Sequence, residues 1–226
     1  MEDKESVDFL DKLGVPLFKV GSGDLTNYPL LKYTARKKKP MILSTGMATL
    51  SEVDEAVRTV LEEGNEEIVL LHCTSSYPCP IEDVNLKAMI SLRESFKTII
   101  GYSDHTLGFD VPLAAVSLGA KYIEKHFTLN KNLPGPDHKL SLEPEEFRAM
   151  VRAIRNIDKT LGDGIKRPMP SEMKNKEVVR RKMVAARDVK KGEVLGEENI
   201  IFKRANYGLD TKYFKLIEGK VAKKDI

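Results

Sequence analysis

The chain has no tryptophan, two cysteines and four histidines among its 226 residues, and its net charge is only +3. Each shortage excludes something. The two cysteines, Cys73 and Cys79, flank Tyr77-Pro78 with no second pair elsewhere, so they cannot form a zinc knuckle and read as free thiols of a reducing compartment, the cytoplasm. The small charge surplus provides no concentrated basic stripe for nucleic acid. Its longest cationic run, Arg36-Lys37-Lys38-Lys39, reads as a solvated helix end. Neither a signal peptide nor a long apolar span is present, so no membrane role is expected. What remains is an ordinary soluble balance, 41% hydrophobic and 31% charged, enough for a core and one or two domains.

The first two-thirds repeats one pattern: a short apolar run, then glycine and small polar residues, then an amphipathic stretch. The runs are Pro16–Val20, Met41–Ser44, Ile68–Cys73, Thr98–Tyr102 and Lys121–Glu124, spaced like βα units. Asn27 with Pro29 opens one helix. Ser51 with Asp54 resembles a capping box, followed by an apolar face of Val53, Ala56, Val57, Val60 and Leu61 and a stop at Gly64. Asn85 opens the next helix, with Leu86, Met89, Ile90 and Leu92 as buried candidates. Asp110 opens another, whose Val111–Leu118 run suggests deep burial before Gly119. After a Pro/Gly/Asn-rich loop over 130–139, a long helix runs from about Pro144 to Leu161. The stretch Asp163–Lys176 reads as a linker, and beyond Val178 short β-like pieces, Lys182–Ala186 and Asn199–Lys203, form a small module. Alternating strands and helices argue for a parallel sheet with helices outside. Five units do not close a (β/α)₈ barrel, which needs eight and typically about 250 residues. The sheet is therefore open, or the chain is part of a barrel.

Polar residues gather after the strands. They are Lys19, Ser22 and Asp24, then Ser44, Thr45 and Gly46, then Thr74 to Tyr77, then Ser103, Asp104 and His105, and finally Glu124 and His126. Carboxyl ends of parallel strands carry the site in such folds. Alternation puts Ser103 with His105, and Glu124 with His126, on one face, with Ile123 and Lys125 pointing away. Neighbouring strands lie ~4.8 Å apart, close enough for two imidazoles to share one ion. Either histidine alone reads equally well as a structural hydrogen-bonder; the pair, among serines and a lysine, points to a metal. Neutral imidazoles with substrate and water oxygens suit Mn²⁺, with Mg²⁺ or Co²⁺ as alternatives. Singly, Ser22, Ser44 and Ser103 read as turn residues; their recurrence at three strand ends points instead to an anionic substrate, with Lys19 adding charge. Asp137 reads as a turn residue or a polyol contact. His72 reads as a core histidine, and His138 stays unassigned.

These residues resemble a known family. The segments Lys19–Lys32, Ser44-Thr45-Gly46-Met47, Leu71–Pro80, Gly101–His105 and Ile123–Thr128 are similar to the sialic acid synthases, the group that makes N-acetylneuraminic, legionaminic and related nonulosonic acids. The tail from Arg181 is similar to their antifreeze-like (SAF, β-clip) domain. The resemblance implies five βα units of a TIM barrel over 1–162, a linker over 163–178 and the small domain over 179–226. It implies condensation of phosphoenolpyruvate with the open-chain aldehyde of an N-acetylmannosamine-type sugar, with loss of phosphate. It places a metal on His105 and His126, and phosphoenolpyruvate near Lys19, Ser22, Ser44, Ser75 and Ser103. It places the sugar near Asp24, Tyr77, Asp137 and, from a second subunit of a domain-swapped homodimer, Arg204. Lys19, Tyr77 and Glu124 are the catalytic candidates, Glu124 as the group that orients a water at the metal.

Three departures from the family pattern carry expectations. The family's barrel has three further βα units before the one that starts here, which would carry a catalytic glutamate and another phosphoenolpyruvate lysine. The small domain also stops short, so a fragment or truncated product is expected, one that need not turn over by itself. Asp24 and Ser75 stand where relatives often have glutamate and asparagine, which fits a legionaminate-type relative. Arg204-Ala205-Asn206 replaces an Arg-Pro-Gly turn, with Gly208 kept. Two other classes remain open: a metal-dependent barrel aldolase or isomerase, which needs more strand-end carboxylates, and a non-catalytic or ice-binding chain, for which the tail is too rich in lysine.

Overall fold

The computed structural model describes residues 3–226, which form two compact units dividing after Asp163. In the first, five parallel strands make half a barrel in the order β1 (Phe18–Val20), β2 (Met41–Ser44), β3 (Ile68–Cys73), β4 (Ile99–Asp104) and β5 (Ile123–Lys125). Helices α1 (Lys4–Leu13), α2 (Tyr28–Ala35), α3 (Leu50–Glu62), α4 (Ala88–Phe96), α5 (Asp110–Ser117) and α6 (Pro144–Leu161) accompany them. Alternate strand residues pack one face against the helices: Phe18, Val20, Met41, Leu43, Ile68, Leu70, Ile100 and Tyr102 join Leu31, Val53, Ala56, Val60 and Leu92 in one core. Burying each of these large apolar side chains contributes roughly 1.5–3 kcal/mol. The opposite parity (Lys19, Ser44, Cys73, Ser103, Glu124) is left on the other face, where the polar residues collect.

Local chemistry sets the helix ends, in places otherwise than the sequence suggests. Asn27 does cap α2, accepting from the Leu30 N–H, with Pro29 in the first turn. The capping box of α3 is Thr49 with Glu52, two residues before the expected Ser51, because Thr49 keeps extended backbone while Ser51 is already helical. Leu61 ends up on the outer side of that helix, 44% exposed. Asn85 does not open α4: it takes φ 48 after a 3₁₀ turn at Ile81–Asp83, and Lys87 precedes the helix. Met89 and Leu92 are buried as expected, Ile90 only partly. In α5 only Pro112, Ala115 and Val116 are buried, since an eight-residue helix lying on a sheet hides one stripe. The cationic run after α2 is ion-paired: Arg36 with Glu63, Lys37 with Asp8 and Asp11, Lys39 with Asp11. α1, which supplies both aspartates, was not foreseen.

The second unit is an antiparallel sheet in the order β7 (Ile200–Arg204), β6 (Arg181–Ala185), β8 (Leu209–Asp210). Met183, Val184, Val189, Ile200 and Ala222 are buried. Gly208, at φ 94, is required where β8 meets β6, since a Cβ there would lie 2.3 Å from the Met183 carbonyl oxygen. The end of the stretch read as a linker belongs to helix α7 (Met173–Val179), which runs past it, and a one-turn helix α8 (Phe214–Ile217) follows β8. Among the described residues no helix is long and apolar enough to cross a membrane.

Candidate active site at the strand ends

Lys19 and Glu124, from the first and last strands, meet: Lys19 Nζ lies 3.2 Å from Glu124 Oε2. The other carboxylate oxygen accepts from Ser103 Oγ at 2.9 Å. Beside them three loop starts converge on Gly46. Its N–H donates to Ser22 Oγ at 3.0 Å, and a Cβ there would lie 2.3 Å from Ser75 Oγ and 2.8 Å from Ser22 Oγ. Only glycine admits both hydroxyls. Ser44 Oγ, on the same face, is buried and has no hydrogen-bond partner among the described residues. A buried hydroxyl left unpaired is costly.

The second half of the cluster is aromatic. The rings of His105 and His126 stand edge to face with centroids 5.2 Å apart, and the Tyr77 ring lies 4.2 Å from His105 and 5.7 Å from His126. His105 Nδ1 is 2.9 Å from the Thr74 carbonyl oxygen, so in the neutral ring that nitrogen carries the proton and Nε2 keeps its lone pair. His126 Nδ1 faces the Asp137 carboxylate at 3.8 Å. Burial, and then the neighbouring His105, hold the His126 imidazole below its ordinary value and therefore neutral. Burial works against the His105 cation, but the Cys73 thiol at 3.8 Å and the Thr74 carbonyl outweigh it and raise its pKa. Burial, then Cys73 and nearby carboxylates, raise that of the Tyr77 phenol.

The donor set can be tested against a divalent ion. A ring nitrogen donating to a backbone carbonyl or facing a carboxylate is how metal-binding imidazoles are oriented. Among the described residues no group of three or more His, Cys, Asp or Glu side chains converges to hold an ion. The protein would therefore supply two imidazoles and leave the remaining positions to oxygen ligands, a fit for a borderline ion in an open site.

Of the other expected residues, Asp137 is brought to His126 by its loop: its carbonyl accepts from Ser141 Oγ at 2.7 Å, and the adjacent His138 bonds Thr128 Oγ1 at 2.7 Å. His138 thus anchors the loop. Asp24 stays local, accepting from Asn27 Nδ2 at 3.3 Å. Arg204 ends β7 in the second unit and is exposed. His72, on the helix-covered face, bonds the Val84 carbonyl oxygen at 2.7 Å, as a core histidine does. Sequence reasoning passed over Gly46 as a packing point, Cys73 as a neighbour of His105, and the pair Asp104–Lys125 behind the histidines. Period-two alternation sends Asp104 and Lys125 to the covered face, and that charged parity was the available signal.

A parallel half-barrel with its polar cluster at the strand ends is the architecture of a barrel enzyme. The chain belongs to the NeuB family, which matches residues 2–166, and residues 180–226 match the SAF domain. It is 51% identical over 225 residues to an N,N'-diacetyllegionaminic acid synthase of Campylobacter jejuni, covering 99% of this chain and 67% of that protein. It is 41% identical over 194 residues to the human N-acetylneuraminate-9-phosphate synthase, covering 85% of this chain and 54% of that one. Among solved structures, the N-acetylneuraminic acid synthetase of Leptospira borgpetersenii superposes with a TM-score of 0.72 at 39% identity, over 77% of this chain and 61% of that one. The chain thus spans about two-thirds or less of the length of these relatives.

Proposed function

We propose that this chain carries the metal-binding part, and much of the phosphoenolpyruvate site, of a nonulosonic acid synthase. In the reaction, C3 of phosphoenolpyruvate attacks the aldehyde carbon of an N-acetylmannosamine-type sugar, water adds at C2, and phosphate leaves with C–O cleavage. The observation that carries this reading is the strand-end cluster: a lysine–carboxylate pair, a glycine-floored nest of hydroxyls with one buried donor unpaired, and two imidazoles beside a tyrosine. Lys19 would exchange Glu124 for the substrate carboxylate, while Ser22, Ser44, Ser75 and Ser103 donate to anion oxygens and hold C3 in line. Glu124, released from Lys19, would orient the attacking water. Tyr77, Asp137 and Asp24 would receive the sugar, with Arg204 delivered from a second copy in a domain-swapped homodimer. His105 and His126 would hold the ion, Mn²⁺ first, which when bound supplies Lewis acidity at the aldehyde oxygen.

The test supplies the chain with phosphoenolpyruvate, Mn²⁺ and N-acetylmannosamine or its diacetylated and phosphorylated relatives, and follows inorganic phosphate and nonulosonate. Phosphate release dependent on one of these sugars is expected. Absence of release with every one of them rejects the reading for this chain. The metal assignment is checked separately: His105→Ala/His126→Ala should abolish Mn²⁺ binding, and unchanged affinity refutes it.

A further inference from the structure

Behind the two imidazoles, on the helix-covered face, lies an ion pair that the proposed chemistry does not use. Lys125 Nζ is 2.6 Å from Asp104 Oδ2, and both side chains are wholly buried. The carboxylate is saturated: Oδ1 accepts from the Tyr102 hydroxyl at 3.1 Å, the Thr106 N–H at 3.1 Å and the Thr106 hydroxyl at 2.9 Å. Lys125 also donates to the Thr106 carbonyl oxygen. The network therefore grips residues 102, 104, 106 and 125. His105 sits between two of its members and His126 directly follows a third. We infer that the Asp104–Lys125 pair is the positioning device that fixes the spacing and direction of His105 and His126. The inference rests on reading those histidines as metal ligands.

Three observations support it. The strand register pairs Ser103 with Glu124 and Asp104 with Lys125, so one further step sets His105 beside His126. A lateral tie at one step of an extended strand fixes where the next side chain emerges on the other face. Second, β5 has only three residues and, among the described strands, pairs with β4 alone, a short ladder for setting a ligand. Its outer support near the histidine is a single parallel bridge between Phe127 and Leu142, in which the Leu142 N–H donates to the His126 carbonyl oxygen at 2.9 Å and the Thr128 N–H to the Leu142 carbonyl oxygen at 3.0 Å. Third, a buried ion pair is a poor device for stability, since apolar residues of similar volume do as well or better; its best-attested use is to fix register. The direction of the His105 ring is then completed by the Thr74 carbonyl, but the position of its Cα is set by Asp104 and Thr106.

The test compares wild type, Lys125→Met, Asp104→Asn and Asp104→Asn/Lys125→Met, each in the 226-residue chain. Three readouts are taken: thermal unfolding in EDTA, Mn²⁺ affinity from the electron paramagnetic resonance of free Mn²⁺, and the ring ¹⁵N resonances of His105 and His126 in EDTA. Lys125→Met strands a buried carboxylate and should unfold early. The double variant strands no charge and keeps the amide's bonds to Tyr102 and Thr106, so its unfolding temperature should return close to wild type. Its Mn²⁺ affinity should nevertheless remain about 10–100-fold weaker, the loss usual for groups that orient a ligand, and the two ring signals should move. A double variant with wild-type stability, wild-type Mn²⁺ affinity and unmoved ring signals overturns the inference. If the double variant does not fold, Asp104→Asn decides: weaker Mn²⁺ binding by a folded chain supports the clamp, and unchanged binding overturns it. If wild type itself binds no Mn²⁺, the metal reading fails. The clamp is then judged on the ring signals in EDTA, which support it if they move and overturn it if they do not.

Discussion

Glu124 has each carboxylate oxygen engaged by a different element, one by Lys19 from β1 and one by Ser103 from β4. Its negative charge thus sits where the proposed anion must land. Glu124→Gln removes that competition. Phosphoenolpyruvate alone should then bind about fivefold tighter, the ~1 kcal/mol that a third-exposed pair is worth after solvent screening, while turnover falls at least ~100-fold through loss of the water-orienting carboxylate. Titration calorimetry and a phosphate-release assay separate the two effects. Unchanged affinity with retained turnover would reduce Glu124 to a tether for Lys19. At this scale the sequence was informative where parity and strand position agree, as for Lys19, Ser103, Glu124 and the two histidines. It was silent where a contact depends on loop path. Nothing in the order Ser44-Thr45-Gly46 says that Ser22 and Ser75 will close over the glycine, and nothing local says that Asp24 will bond Asn27.

Among the elements, α3 gives a clean test of which polar residue starts a helix. Thr49 Oγ1 accepts from the Glu52 N–H, and Glu52 accepts from the Thr49 N–H. Thr49→Ala should cost about 1 kcal/mol of stability, measured as a lower urea midpoint with an unchanged slope. Ser51→Ala, inside the first turn, should cost nothing measurable. The reverse order would restore the Ser51 reading. Both Thr49 and Ser51 stand before the same apolar stripe, so spacing alone could not choose between them. The strands tell a similar story. β2 and β3 were legible to the residue because each is a nearly continuous apolar run, interrupted by Ser44 at the end of one and His72 near the end of the other. β4 runs on through Ser103 and Asp104, beyond the expected Tyr102, because pairing with Glu124 and Lys125 continues there despite the polarity. Tertiary partners, which no local pattern contains, decide such ends. α7 has no local signal of this kind: Gly164, Pro168 and Pro170 announce a break, not the short helix that starts at Met173.

For the whole molecule, five βα units were readable from spacing, but whether they close was not, because closure depends on strands pairing at both edges. Among the described residues β1 pairs with β2 alone, and β5 with β4 alone until Phe127, just past its end, bridges Leu142. The Phe18 N–H donates to the Pro40 carbonyl oxygen on the β2 side, so alternation turns the Lys19 N–H and C=O to the open side of β1. An unpaired strand edge is a template for another chain. Because the two free edges differ, pairing one chain's β1 with another's β5 is a head-to-tail contact that has no reason to stop at two copies. Sedimentation velocity from low micromolar to submillimolar protein should show species growing past a dimer from the 25.4 kDa chain. Backbone pairing gains little from long-range charge attraction, so the association should persist at high salt, where contacts between surface charges are screened. A sharp monomer at every concentration would show that the edges are protected in solution. A population ending at dimers would reject edge pairing and leave the proposed domain-swapped homodimer in place.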